Sequence, residues 1–154
     1  VHCKHIEAKD TWALRHAVLW PNEDFSYVQL PEDDAGVHLG AFLMSGNQDE
    51  PVAVISLFTE EIPQPVGAAP SIHAAGTIRF RKFACSTAYQ HQGIGSQLLE
   101  YAASFARSHM NGELLWCDAR TSTLEWYQKR GFKEFGGVFY KGPVEYIRIQ
   151  REIG

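Results

Sequence analysis

The stretch from Phe83 to Gln97, Phe-Ala-Cys-Ser-Thr-Ala-Tyr-Gln-His-Gln-Gly-Ile-Gly-Ser-Gln, constrains this chain more than any other. It reads as the end of a buried strand, a glycine-bearing turn and the first turn of a helix. Gly93 and Gly95 lack a Cβ, so the turn can take left-handed dihedrals and a ligand can approach its backbone closely. The helix behind it presents its first N–H groups and positive dipole end to the turn, an arrangement that suits phosphate. A triphosphate loop would need a lysine after the second glycine, and Ser96 stands there. A dinucleotide fingerprint would need Gly or Ala where Leu98 stands, in a unit placed early in the chain. Neither condition is met.

The surrounding periodicity predicts an α/β chain. His2 to Ala8 reads as a first strand. Trp12, Leu14, Ala17, Val18 and Leu19 recur at helical spacing until Pro21. Asn22 to Ala35 is turn-rich, with at most a short strand near Tyr27 to Leu30, and Pro31-Glu32-Asp33-Asp34 reads as a solvated acidic loop. Val37 to Met44 and Pro51 to Thr59 form a hairpin. Ile62 to Gly76 lacks periodicity and reads as an exposed loop of the length that is more often functional than accidental.

Thr77 to Cys85 is a further strand. Beyond the glycines, Ile94, Leu98, Ala102, Phe105 and Ala106 make the apolar stripe of a helix that Asn111-Gly112 ends. Glu113 to Ala119 is a short buried strand. Thr121 or Ser122 caps a helix that stops at Gly131, and Phe132 to Ile153 supplies a final pair of strands. The strand–turn–helix–strand piece at 77–119 is long enough for a right-handed parallel crossover.

The totals narrow the function. With 14 basic and 18 acidic residues, the chain carries a formal charge of −4. It has no Lys/Arg run of the sort that tracks nucleic acid. No apolar run approaches a membrane span, and Val1-His2-Cys3-Lys4 starts no signal peptide. Cys3, Cys85 and Cys117 cannot all pair with one another, which fits a reduced, cytoplasmic setting. His2-Cys3-Lys4-His5 holds too few ligands at a terminus to make a metal site, so no metal is expected. At 154 residues the simplest organisation is one domain.

One phosphate pattern remains: Gln/Arg-x-x-Gly-x-Gly/Ala, met by Gln90-His91-Gln92-Gly93-Ile94-Gly95. Phe83-Ala84-Cys85 supplies a strand end five residues before the glutamine. Downstream, Trp126-Tyr127-Gln128-Lys129-Arg130-Gly131-Phe132 supplies an aromatic-Tyr-x-x-x-Gly-Phe motif. Over about 77–135 the sequence thereby resembles the GNAT superfamily of N-acetyltransferases. The resemblance implies one GNAT-like domain over 1–154, with a mixed, mostly antiparallel sheet flanked by about four helices. At its centre a parallel strand pair would splay open to bind acyl-CoA.

It also implies acetyl-CoA as co-substrate. Main-chain groups of Phe83, Ala84 and Cys85 would meet the pantetheine and the acetyl carbonyl. The turn and helix start, Gln90, His91, Gln92, Gly93, Ile94, Gly95 and Ser96, would hold the pyrophosphate. Tyr127 matches the tyrosine that protonates the departing thiolate. The acceptor would be a primary amine of a small molecule or peptide, attacking directly in a ternary complex. Its groove would be bordered by the first helix, the loop after Trp20 and the 60–76 loop. A homodimer is compatible with the resemblance; nucleic acid and membrane are not expected partners.

Two departures from the family pattern are visible. The strand before the turn carries Arg79, Arg81 and Lys82 where many members carry a basic carboxylate. Arg120 stands where an asparagine is frequent. Glu60, Glu61 or a histidine acting through water are the candidates left for the base. A non-catalytic acyl-CoA sensor and an interaction protein with a closed cleft are the rival readings; Tyr127 opposes the first and the intact glycines the second. Cys85 and Cys117 read as small buried hydrophobes rather than nucleophiles.

Overall fold

The computed structural model describes residues 1–46, 49–63 and 76–154. Seven strands make a mixed sheet: β1 (His2–Ile6), β2 (Val37–Phe42), β3 (Ala53–Thr59), β4 (Thr77–Cys85), β5 (Leu114–Arg120), β6 (Lys133–Lys141) and β7 (Val144–Glu152). Their order is β1-β2-β3-β4-β5-β7-β6. Among the described residues the α-helices are α1 (Trp12–Leu14), α2 (Ile94–His109) and α3 (Leu124–Gln128), accompanied by several 3₁₀ turns. The chain divides into two compact units, Val1–Phe58 with Phe80–Phe105, and Thr59–Arg79 with Ala106–Gly154.

In the first unit β1, β2 and β3 pair antiparallel, with His2 opposite Phe42 and Val37 opposite Leu57. Leu39, Ala41, Val54, Ile55 and Leu57 are wholly buried. The predicted first helix is present as a helical stretch of mixed type: a 3₁₀ turn (Ala8–Thr11), the single α turn α1 and a π turn (Arg15–Leu19), ending ahead of Pro21 as expected. Trp12, Leu14, Val18 and Leu19 of its apolar stripe are half-buried, and the fully buried side chain is a charged one. Ala17 is exposed, while Arg15 is fully buried. Arg15 Nη1 and Nη2 donate to the two Asp33 carboxylate oxygens at 2.7 and 3.0 Å. Nη1 also reaches the Val28 carbonyl at 3.1 Å, and Nη2 the Ser56 hydroxyl at 3.0 Å.

Asp33 is therefore buried rather than part of a solvated loop. The 22–35 region holds 3₁₀ turns at Phe25–Val28 and Pro31–Ala35 and no strand. The physical reason is the buried guanidinium: it draws Asp33 and the Val28 carbonyl inward, because a charge removed from water must be paired.

In the second unit β4 begins parallel to β5, with Thr77, Ile78 and Arg79 opposite Leu114, Leu115 and Trp116. That pairing ends at Arg79 and Trp116, although β4 runs on to Cys85 and β5 to Arg120. Along its other edge β5 pairs antiparallel with β7 through to Arg120, and β7 pairs with β6. Ile62, Leu114 and Trp116 form a buried cluster against Phe135. Ile62, at the start of the expected exposed loop, is thus buried in the core; residues 64–75 of that loop lie outside the described residues. The Asn111-Gly112 helix stop is as expected. Asn111 is left-handed at φ 53°, and the Gly112 N–H returns to the Ala106 carbonyl at 2.8 Å. A Cβ on Gly112 would lie 2.9 Å from that same carbonyl oxygen, so the turn excludes a side chain.

Candidate active site

In the first unit, two local features shape the end of β4. Lys82 is left-handed (φ 54°) in mid-strand, a conformation that costs a side-chain-bearing residue about 1–2 kcal/mol. Such a residue turns the strand's main chain, just ahead of Phe83, Ala84 and Cys85. The Lys82 ammonium rests 4.7 Å from the Trp20 ring centroid. Ala84 is buried, and Phe83 and Cys85 are partly covered. Burial pushes the Cys85 thiol above its ordinary range, so the side chain is a poor source of thiolate.

After β4 the Ser86 N–H bonds the Val52 carbonyl at 2.8 Å, and a 3₁₀ turn (Thr87–Tyr89) reverses the chain. The Gln90 side-chain amide donates back to the Cys85 carbonyl at 3.1 Å. The glutamine therefore ties the turn to the strand end. His91 (φ 64°) and Gly93 (φ 81°) are both left-handed, which curls the backbone immediately before α2. An ideal Cβ built on Gly93 meets no atom within 4 Å. Glycine is thus favoured by the dihedral, and the space over its Cα is open to a ligand. His91, Gln92 and Gly93 are exposed, Ile94 is buried, and Gly95 and Ser96 lie in the first turn of α2. The helix ladder begins with the Gln97 N–H on the Gly93 carbonyl at 3.1 Å. Amides ahead of that bond belong to the end of the helix that carries its positive partial charge.

The second unit holds Tyr127, on α3. The expected Thr121 or Ser122 cap is not made. A 3₁₀ turn (Thr121–Thr123) precedes the helix, and Thr123 Oγ1 donates to the Arg120 carbonyl at 2.7 Å. Gly131 is left-handed at φ 89°, and the Phe132 N–H returns to the Tyr127 carbonyl at 3.1 Å. The tyrosine ring packs edge-on to Trp126 (5.0 Å between centroids) and to Phe132 (5.5 Å). Desolvation, with Cys117 nearby, pushes the Tyr127 phenol well above its ordinary pKa. The Cys117 thiol is raised as well, by burial first and then by the Asp118 charge. At neutral pH both groups keep their protons.

One charged cluster in the second unit escaped the sequence reading. The Asp118 side chain is 6% exposed, two residues beyond the last β4–β5 pair, and three cations surround it. Arg79 Nη2 lies 3.1 Å from Oδ2, Lys141 Nζ 3.2 Å from Oδ2, and Arg148 Nε 3.1 Å from Oδ1. Arg79 Nη1 also holds both Glu60 oxygens, at 3.1 and 3.2 Å. Alternation along β5 and β7 could have placed Asp118 and Arg148 on one face, but only the register (Asp118 opposite Arg148) joins them.

Fold and motif together define an acyl-transfer class, and the comparisons agree. An acetyltransferase (GNAT) domain profile matches residues 47–134. The uncharacterized N-acetyltransferase YitI of Bacillus subtilis (strain 168) is 32% identical over 139 residues, spanning 88% of this chain and 85% of that one. An aminoglycoside 6'-N-acetyltransferase solved with coenzyme A superposes with a TM-score of 0.74 at 13% identity, covering 100% of this chain and 98% of its own. A spermidine N-acetyltransferase SpeG chimera from Vibrio cholerae and hSSAT gives 0.69 at 16% identity, covering 99% and 96%. The chain belongs to the GNAT family of N-acetyltransferases. It is accordingly an acyltransferase. No described helix is long and apolar enough to cross a membrane.

Proposed function

We propose that this chain is one catalytic domain that transfers an acetyl group from acetyl-CoA to a primary amine by direct attack in a ternary complex. The observation that carries the reading is the turn at Gly93: a left-handed glycine with open space over its Cα, set at the start of a 16-residue helix. Such a turn fits a pyrophosphate, which needs main-chain N–H donors, a positive dipole end and no side chain in the way. In this reading Gln90, His91, Gln92, Gly93, Ile94, Gly95 and Ser96 form the cradle. The main chain of Phe83, Ala84 and Cys85 bonds the pantetheine, and an N–H there polarises the thioester carbonyl.

Transfer then requires little of the side chains. The amine nitrogen attacks the carbonyl carbon, the C–S bond breaks, and the nitrogen loses a proton to a base or to water. Tyr127 gives its phenolic proton to the departing sulfur. The tyrosine phenol carries its proton at neutral pH, as a donor must, while desolvation by itself makes it a weaker acid, so the thiolate's own basicity has to drive the transfer. Glu60, half-exposed and gripped by Arg79, is the carboxylate that β3 brings beside β4. Direct attack is favoured over a cysteinyl intermediate because burial raises the thiols of Cys3, Cys85 and Cys117.

Calorimetric titration with acetyl-CoA, with NADH and ATP as controls, tests the reading. Selective micromolar binding is expected, followed by amine-dependent release of free thiol. Binding without thiol release across an amine panel would favour the sensor reading. An absence of binding would overturn the assignment of the turn.

A further inference from the structure

We propose that Arg148, set among Arg79, Lys141 and Asp118, is a carboxylate-recognising subsite, so that the acceptor carries an anionic group as well as its amine. The inference rests on the acetyltransferase reading above. The first support is charge. Arg79, Lys141 and Arg148 are three cations, and Asp118 and Glu60 supply two carboxylates, so the cluster keeps one uncompensated positive charge. Asp118 stands on β5 two residues beyond Trp116, the last residue in register with β4.

The second support is how each cation is used. Arg79 is committed, one Nη on Glu60 and the other on Asp118, with its guanidinium 4.8 Å from the Trp116 ring centroid. Lys141 reaches Asp118 and lies 4.7 Å from the Tyr146 ring. Arg148 differs. It faces Asp118 only through Nε, and that contact does not align as a hydrogen bond: Arg148 Nε and Asp118 Oδ1 are both buried without one. Among the described residues the two Nη atoms of Arg148 have no ionic partner. Its guanidinium lies 4.5 Å from the Phe139 ring, and the side chain is 29% exposed.

A planar guanidinium flanked by an aromatic ring, with its Nη pair uncommitted, matches a carboxylate bidentately. A polycationic acceptor would add positive charge to a cluster that already has an excess. An acceptor with a carboxylate neutralises it. The remaining charge, rather than the apolar surface nearby, therefore decides which amine is favoured.

The experiment compares three acceptors of one carbon count: 5-aminopentanoate, pentylamine and cadaverine. Thiol release is measured in the wild type and in Arg148→Gln, and glutarate and acetyl-CoA binding are followed by calorimetry in both. The wild type is expected to favour 5-aminopentanoate over either amine by tenfold or more in kcat/KM. In Arg148→Gln that ratio collapses, mainly through KM, and glutarate affinity falls at least tenfold while acetyl-CoA still binds. Arg148→Lys, which keeps the charge and loses the fork, should fall between the two; it also serves if Arg148→Gln does not fold. Equal or better use of pentylamine or cadaverine by the wild type overturns the proposal. So does a preference that survives in the variants, or the absence of both carboxylate turnover and glutarate binding in a protein that binds acetyl-CoA. Loss of acetyl-CoA binding in the wild type would instead strike the assignment of the turn.

Discussion

Replacing Gly93 separates the cost of backbone conformation from the cost of obstructing a ligand. At φ 81° any L-residue pays for the left-handed region, roughly 1–2 kcal/mol. No packing penalty is added, since a Cβ there meets nothing within 4 Å. Gly93→Ala should therefore lower stability by about 1–2 kcal/mol, or about 2–8 °C in Tm for a chain of this size. Gly93→Asp should cost the fold a similar amount, because its carboxylate extends into the same open space.

The two variants should part company on acetyl-CoA. Alanine obstructs the approach; aspartate obstructs it and brings a negative charge toward the phosphates. At a separation of about 4 Å that repulsion is about 1 kcal/mol in water and about 4 kcal/mol at an intermediate dielectric. Aspartate should thus weaken binding beyond alanine by about fivefold to several hundredfold, with the gap narrowing as salt rises. Calorimetry across a salt series, beside thermal melts of both variants, measures it. Equal acetyl-CoA affinity in the aspartate variant and the wild type would refute the reasoning, since the turn would then not face the phosphates.

Three further outcomes are expected. Tyr127→Phe should cut kcat by about 10²–10⁴-fold, the range for a proton donor, with KM for acetyl-CoA little changed; a wild-type rate would return the ring to packing alone. Arg15→Ala should cost about 3–5 kcal/mol in urea unfolding, because Asp33 would be left as a buried unpaired charge. A double replacement of Arg15 and Asp33 by leucine should recover most of that loss, and a single-variant cost below about 1 kcal/mol would contradict the pairing. Finally, Cys117 and Tyr127 have folded pKa values raised above their ordinary 9.0 and 10.0. As pH climbs past those values the unfolded chain sheds these protons first. Stability should then fall with pH, starting near 9 and steepening near 10, by up to about 1.4 kcal/mol per pH unit for each group. Urea unfolding from pH 8 to 11 should show a shallower slope in Tyr127→Phe.

What was legible in the sequence was what its own neighbours decide. Glycines at 93 and 95 after an apolar strand specify a turn and a helix start within a few residues, and β4 and α2 follow that reading closely. Asn111-Gly112 likewise ended α2 by local backbone chemistry. The Trp12–Leu19 stripe found the helical segment but not its buried arginine, because periodicity counts apolar residues only. Arg15 is buried because Asp33 and Ser56, 18 and 41 residues away, satisfy it, and that pairing leaves no trace in a helical window. The same pull buries Asp33 alone of Pro31-Glu32-Asp33-Asp34, while Pro31 and Asp34 stay exposed as expected.

The strand carrying Arg79, Arg81 and Lys82 shows most clearly why the site was harder to read than the fold. Taken by itself, β4 offers cations and no carboxylate, which left the base unassigned. Glu60, the residue after β3, reaches Arg79 and Asp118 reaches it from β5, while Glu32 lies 3.4 Å from Arg81. A strand's charge is thus balanced by its lateral neighbours, at sequence separations of 19, 39 and 49 residues. That balance is uneven: it engages both Nη atoms of Arg79, one on Glu60 and one on Asp118, but meets Arg148 only through Nε. In the proposed reading, the turn at Gly93 serves the donor half of the reaction, which the family shares. The proposed subsite on β5 and β7 would serve the acceptor half, and on that proposal substitutions at Arg148 should change which amine is used without changing how acetyl-CoA is held.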